Sequence, residues 1–166
     1  MKRTGKSGWL RRASALLLLL TLAFSGCAAP AEKTQAEKTA AYLMDTVTEP
    51  SCGSVGGEWA VIGLARAGCA VKGGYFEGYY DRLCETLRAC GGVLDARKNT
   101  EYSRVILALT AIGKDPSDVA GYDLLLPLAD HEQTLWQGLN GPIWALIALD
   151  AGAYAIPQTV SGTQAS

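Results

Sequence analysis

The chain has one histidine, two phenylalanines and two methionines in 166 residues. No serine or cysteine stands at a recognisable spacing from that histidine, His131, so a nucleophilic triad finds no support. Alternation of apolar and polar residues is sustained nowhere, which argues against strands. The leucine-rich run Ala13–Phe24 is shorter than the ~20 residues that span a bilayer as a helix, so a permanent transmembrane anchor is not expected there. The acids are scattered rather than clustered, with Asp115 and Asp118 merely flanking a proline turn.

What is present begins with a leader. Residues 1–12 carry five basic residues and no acid, the apolar run follows, and Ser25-Gly26-Cys27 closes it with small residues. That is the pattern of a secretory signal peptide over 1–27. Phe24-Ser25-Gly26-Cys27 is similar to a bacterial lipobox, with phenylalanine where leucine is usual. Cleavage and lipidation at Cys27 are expected to hold the protein on the outer face of the cell membrane through acyl chains. Residues 28–38 read as a polar tether with a helix starting inside it.

Without the leader, ten basic residues face sixteen acidic ones, a net charge of −6. Nucleic acid and anionic lipid surfaces are therefore not expected partners. Residues 156–166 lack an apolar period and read as the linker after a helix, as in a truncated or partial chain.

The folded part, 39–155, is read as all-α. Helices are expected at about 34–48, 57–67, 74–90, from 99 to Gly113, 121–136 (broken or started near Pro127) and 141–152, with a short turn of helix at Asp115-Pro116. In the third, Phe76, Tyr80, Leu83, Leu87 and Cys90 form the apolar stripe. Asn99-Thr100 is expected to cap the fourth, with Glu101 in its first turn.

Three of these helices share a pattern: EWAVIGLA at 58–65, SRVILALT at 103–110 and IWALIALD at 143–150, aligned without gaps at shifts of 45 and 40 residues. Self-similarity at such a period marks a stacked helical repeat. The repeated helices are apolar on nearly every face and so are expected to be buried all round, alternating with amphipathic outer helices.

With Trp136-Gln137-Gly138 and Gly141-Pro142 ahead of the last copy, these segments resemble the prenyltransferase/squalene-oxidase repeat. The closest versions are those of secreted or surface proteins of Gram-positive anaerobic bacteria. The resemblance implies an α6/α6 toroid, as in terpenoid cyclases, protein prenyltransferase β-subunits, complement thioester domains and cobalamin carriers. Three hairpins make about half such a ring, which implies apolar flanks open to self-association or to a second chain that completes the toroid.

The motifs mark packing rather than a reaction. The DxDD acid of terpenoid cyclases is missing, and Asp81, Cys84 and His131 lack the spacing of a prenyltransferase zinc site, so neither metal nor cofactor is expected. Of the cysteines beyond Cys27, Cys52 cannot reach Cys69 across a helix, and Cys84 and Cys90 point apart; Cys69 with Cys84 or Cys90 stays open, and free buried thiols are favoured.

Repeat equivalence places Trp59, Arg104 and Trp144 at one level, near the starts of the repeated helices. Such a rim suits a planar or anionic ligand. The competing reading, which carries more weight, makes them packing wedges with Arg104 paired to Glu58 or Glu101. The expected function is a membrane-tethered, non-catalytic binding domain for a corrinoid-like cofactor, a glycan or a surface protein. The alternatives are a fragment of a cyclase- or prenyltransferase-like enzyme, or a remnant without independent function.

Overall fold

The three repeated octets and the amphipathic stretch that begins near residue 74 all become helices. The structure, a computed structural model, describes residues 32–156. The leader, Cys27 with its proposed lipid, the first part of the tether and the tail from residue 157 lie outside the described residues. Six α-helices follow in order: α1 Gln35–Thr46, α2 Gly57–Arg66, α3 Tyr75–Ala89, α4 Asn99–Ala111, α5 His131–Leu135 and α6 Asn140–Ala151, with a 3-10 turn at Leu126–Ala129. Among the described residues there is no strand, only an isolated bridge between Val119 and Tyr122. The protein is all-α.

The three repeated octets lie on α2, α4 and α6, and α4 packs between the other two. Their shared period makes this arrangement natural, because matching apolar faces present matching ridges to their neighbours. Val61, Leu64, Val105, Ile106, Ala108, Leu109, Ala148 and Leu149 form the centre, closed by Leu83 and Leu87 of α3 and by Val119 and Leu124. Among the described residues the core runs from Ala40 to Leu149.

Burial all round holds for α4 but not for its neighbours. Trp59 on α2 is 50% exposed, and on α6 Ile143, Leu146 and Ile147 are 51%, 55% and 44% exposed. Only α4 has an inner helix on both sides.

The apolar stripe of α3 is rotated from its expected position. Tyr75, Tyr79, Leu83, Cys84 and Leu87 are buried, Phe76 and Tyr80 only partly, and Cys90 is exposed. Helical period cannot choose between the adjacent aromatics 75/76 and 79/80. A polar partner helps to choose: the Tyr75 hydroxyl donates to Val47 O at 2.7 Å. The helix ends at Gly91-Gly92, both at positive φ, where Gly92 N–H returns to Leu87 O at 2.9 Å.

Two further expectations are met in part or not at all, for one reason. The helix over 121–136 is broken and starts only near Pro127, as the 3-10 turn Leu126–Ala129 and the short α5, and no helical turn forms at Asp115-Pro116. Instead Asp115 accepts from the Ser117 amide, Asp123 from the Leu125 amide and Asp130 from the Gln133 amide. Such local aspartate turns compete with helix propagation, and only the last opens a helix, the short α5. Nor does Asn99 cap α4. Its side chain is fully buried and donates from Nδ2 to Pro127 O at 2.8 Å and to Thr134 Oγ1 at 2.9 Å, tying α4 to the 3-10 turn and α5.

Candidate functional site

The candidate site is built at the N-terminal ends of the three inner helices. Because the octets are in register, Trp59, Arg104 and Trp144 fall at equivalent positions of adjacent helices. The rings of Trp59 and Trp144 meet edge to face, with centroids 5.6 Å apart and planes at 60°. Contact between α2 and α6 is thus made across the level of Arg104, through two aromatic rings whose geometry is favourable beyond their area.

Arg104 does not choose between its two expected partners but takes both. Its Nε donates to Glu58 Oε2 at 3.1 Å, and its terminal nitrogen is bonded to Glu101. Glu58, in the first turn of α2, is only 1% exposed, and its other oxygen accepts from the Gly53 amide at 2.9 Å. A buried carboxylate with two charge-assisted partners is stable where an unpaired one is not. One guanidinium against two carboxylates leaves the cluster with a formal charge of −1. The anionic ligand allowed by the sequence is therefore disfavoured, since the cation that would attract it is already neutralised.

Two more groups lie within reach of the Glu58 charge. Burial, followed by that carboxylate, pushes the Cys52 thiol from its ordinary value near 9 up to about 12. Burial, then Glu58, also raises the Tyr79 phenol well above its ordinary range. Its hydroxyl is fully buried, with no protein partner. Both groups are held neutral, the opposite of what an activated nucleophile needs.

The thiol gives a pH-dependent prediction. A folded-state pKa raised from near 9 to about 12 leaves the stabilising effect intact below pH 9 and removes it as pH climbs toward 12. Tyr79 acts in the same direction. Denaturation midpoints should therefore be flat near neutrality and fall steadily above pH 9, while Cys52 alkylates at pH 8 more than tenfold slower than exposed Cys90. Equal reaction rates would show that Cys52 is not shielded.

Elsewhere, Cys52, Cys69, Cys84 and Cys90 are free thiols. Asp81 and Cys84 border a shallow depression with Arg88 and Asp118, whereas His131 borders a separate apolar groove with Leu128 and Leu149. No group of three metal-ligating side chains is gathered among the described residues.

Sequence reading singled out Trp59, Arg104 and Trp144; the structure brings the two indoles into contact and pairs Arg104 with Glu58 and Glu101. It did not find Gly53, Cys52 and Tyr79 around Glu58, because nothing local marks a loop amide as the partner of a helix carboxylate. The available signal was an acid opening an otherwise apolar octet. No protein-family model, curated protein or solved structure matches the chain, so the site is read from its own geometry.

Proposed function

We infer that the protein is a membrane-tethered extracellular binding domain, held by lipid on Cys27, in which three hairpins stack as part of an α/α toroid. It is non-catalytic, and its ligand is an uncharged ring compound, a surface glycan, met at the rim formed by Trp59 and Trp144. One observation carries this reading. A half-exposed tryptophan is oriented by a second indole, and the arginine at the equivalent position of the helix between them is already neutralised by two carboxylates.

An indole offers a broad apolar face at little entropic cost, and sugars present apolar C–H faces to such surfaces. Glu101, partly exposed at the same level, offers acceptor oxygens for ligand hydroxyls. The raised thiol of Cys52 and the absence of a DxDD acid both weigh against a reaction here.

The test is a tryptophan-fluorescence titration with a neutral N-acetylglucosamine oligosaccharide and a sulfated one of equal length. Saturable binding of the neutral sugar, little changed by salt and lost in Trp59→Ala, is expected. Response to the sulfated sugar alone would sink the reading. The tether is tested separately: labelled fatty acid should enter the full chain and not Cys27→Ser.

A further inference from the structure

We propose that the far edge of α6 is a self-association surface, on which a second copy of this chain packs its own α6 antiparallel about a two-fold axis. The repeat itself supplies the control. Positions 58, 103 and 143 are equivalent, as are 61, 106 and 146. Glu58 and Ser103 are 1% and 0% exposed, and Val61 and Ile106 are both 0% exposed. Their third-copy counterparts, Ile143 and Leu146, are 51% and 55% exposed. The same register positions are thus sealed in two helices and open in the last, and the residues there stay large and aliphatic.

Size and shape favour a protein partner. Leu139, Ile143, Leu146 and Ile147 form one face of the helix, at 77%, 51%, 55% and 44% exposure. Leu146 also borders an apolar groove of about 240 Å³ that ends at exposed Ile156. Together these five residues expose on the order of 500 Å², in the upper part of the range for the largest patch on a monomer. That is most of the ~800 Å² each partner contributes to a standard interface.

Pattern and charge favour a second copy. Residues 139, 143, 146 and 150 follow the alternating four- and three-residue spacing of a two-helix seam. The seam is aliphatic except for exposed Asp150 at its C-terminal end. In an antiparallel pair Asp150 of each copy falls beside residue 140 of the other, at the start of α6. That start has no side-chain cap, and the helix dipole there favours an anion. Confinement to a membrane surface by the proposed lipid would raise the local concentration and help pairing, but the surface does not depend on the rim or its ligand.

The experiment is sedimentation equilibrium on residues 28–166, which contain every described core residue, from low-micromolar to sub-millimolar concentration. A reversible dimer is expected. Ile147→Asp and Asp150→Lys should each weaken it about tenfold or more, with helicity unchanged and the thermal midpoint of dilute samples preserved. Trp59→Ala should leave association unaltered. A monomer at every concentration overturns the proposal, whether residues 157–166 or a different protein cover the face. It is also overturned by a dimer indifferent to both α6 substitutions, or by one abolished by Trp59→Ala. Sugar binding by Ile147→Asp is read independently, so failure here and failure at the rim are distinguishable.

Discussion

Arg104→Ala is expected to lower the unfolding free energy by about 3 kcal/mol, the cost of leaving a buried carboxylate without its cation. A domain of this kind has ~5–15 kcal/mol in total, so the loss is large. The asymmetry between the partners is what makes the prediction specific. Glu58 is 1% exposed and would be left with two uncharged donors, the Gly53 amide and the Cys52 thiol, and no cation. Arg104 is 22% exposed and keeps Glu101 when Glu58 is changed. Glu58→Gln, which retains an acceptor for Gly53, should therefore cost only about 1 kcal/mol. The double variant Glu58→Gln/Arg104→Ala should be more stable than Arg104→Ala alone, because the charge that needed the arginine has gone. Urea denaturation of the four proteins gives all the values. An Arg104→Ala protein within about 0.5 kcal/mol of the parent, or a double variant no better than the single, would show that the pair is not the clamp between α2 and α4.

That clamp also shows how far the sequence carries. Register among three octets is a long-range signal carried by many residues, so it predicts that α2, α4 and α6 stack with Trp59, Arg104 and Trp144 at one level, but not that the two indoles meet. Arg104 had two possible acidic partners, and using both is something only the fold can arrange. Burial of the repeated helices was misjudged because an apolar sequence states a need for cover and not whether the chain supplies it. On α4 the need is met, and on α6 Ile143 and Leu146 stay half exposed. The apolar residues of 121–136 suggested a helix, yet single aspartate oxygens at 123 and 130, like that at 115 before them, redirect the backbone and leave only the 3-10 turn and the short α5. The period of the side chains carries no trace of those local bonds. Asn99 shows the same limit from the other side, since its type suits a helix cap but its amide is taken by Pro127 and Thr134, 28 and 35 residues away.

That contact between α4, α5 and the start of α6 underlies the second large effect, in Gly141→Ala. A Cβ at Gly141 would stand 1.7 Å from the carbonyl oxygen of Thr134 and 2.8 Å from its carbon. Neither is the end of a flexible side chain. Thr134 is held through its amide to Asp130 O at 2.9 Å, and through its hydroxyl to the buried Asn99 amide at 2.9 Å. Asn99 is fixed in turn to Pro127 O. The methyl group can be accommodated only by moving α6 away from α5, which breaks a buried hydrogen-bond chain as well as packing. A loss of about 3 kcal/mol is expected, from the upper range of overpacking in a core that cannot relax. Gly63→Ala, in the exposed middle of α2 where a Cβ meets nothing within 4 Å, should instead stabilise by about 0.5–1 kcal/mol through helix propensity alone. The same chemical change thus has opposite signs at two glycines of the inner helices, and thermal melts read both. Displacing α6 should also separate Trp144 from Trp59, so the near-ultraviolet circular dichroism of Gly141→Ala should weaken while that of Gly63→Ala does not. A Gly141→Ala protein with parental stability and an unchanged tryptophan signal would mean that α5 is free to yield, and that the start of α6 is not what holds the rim in place.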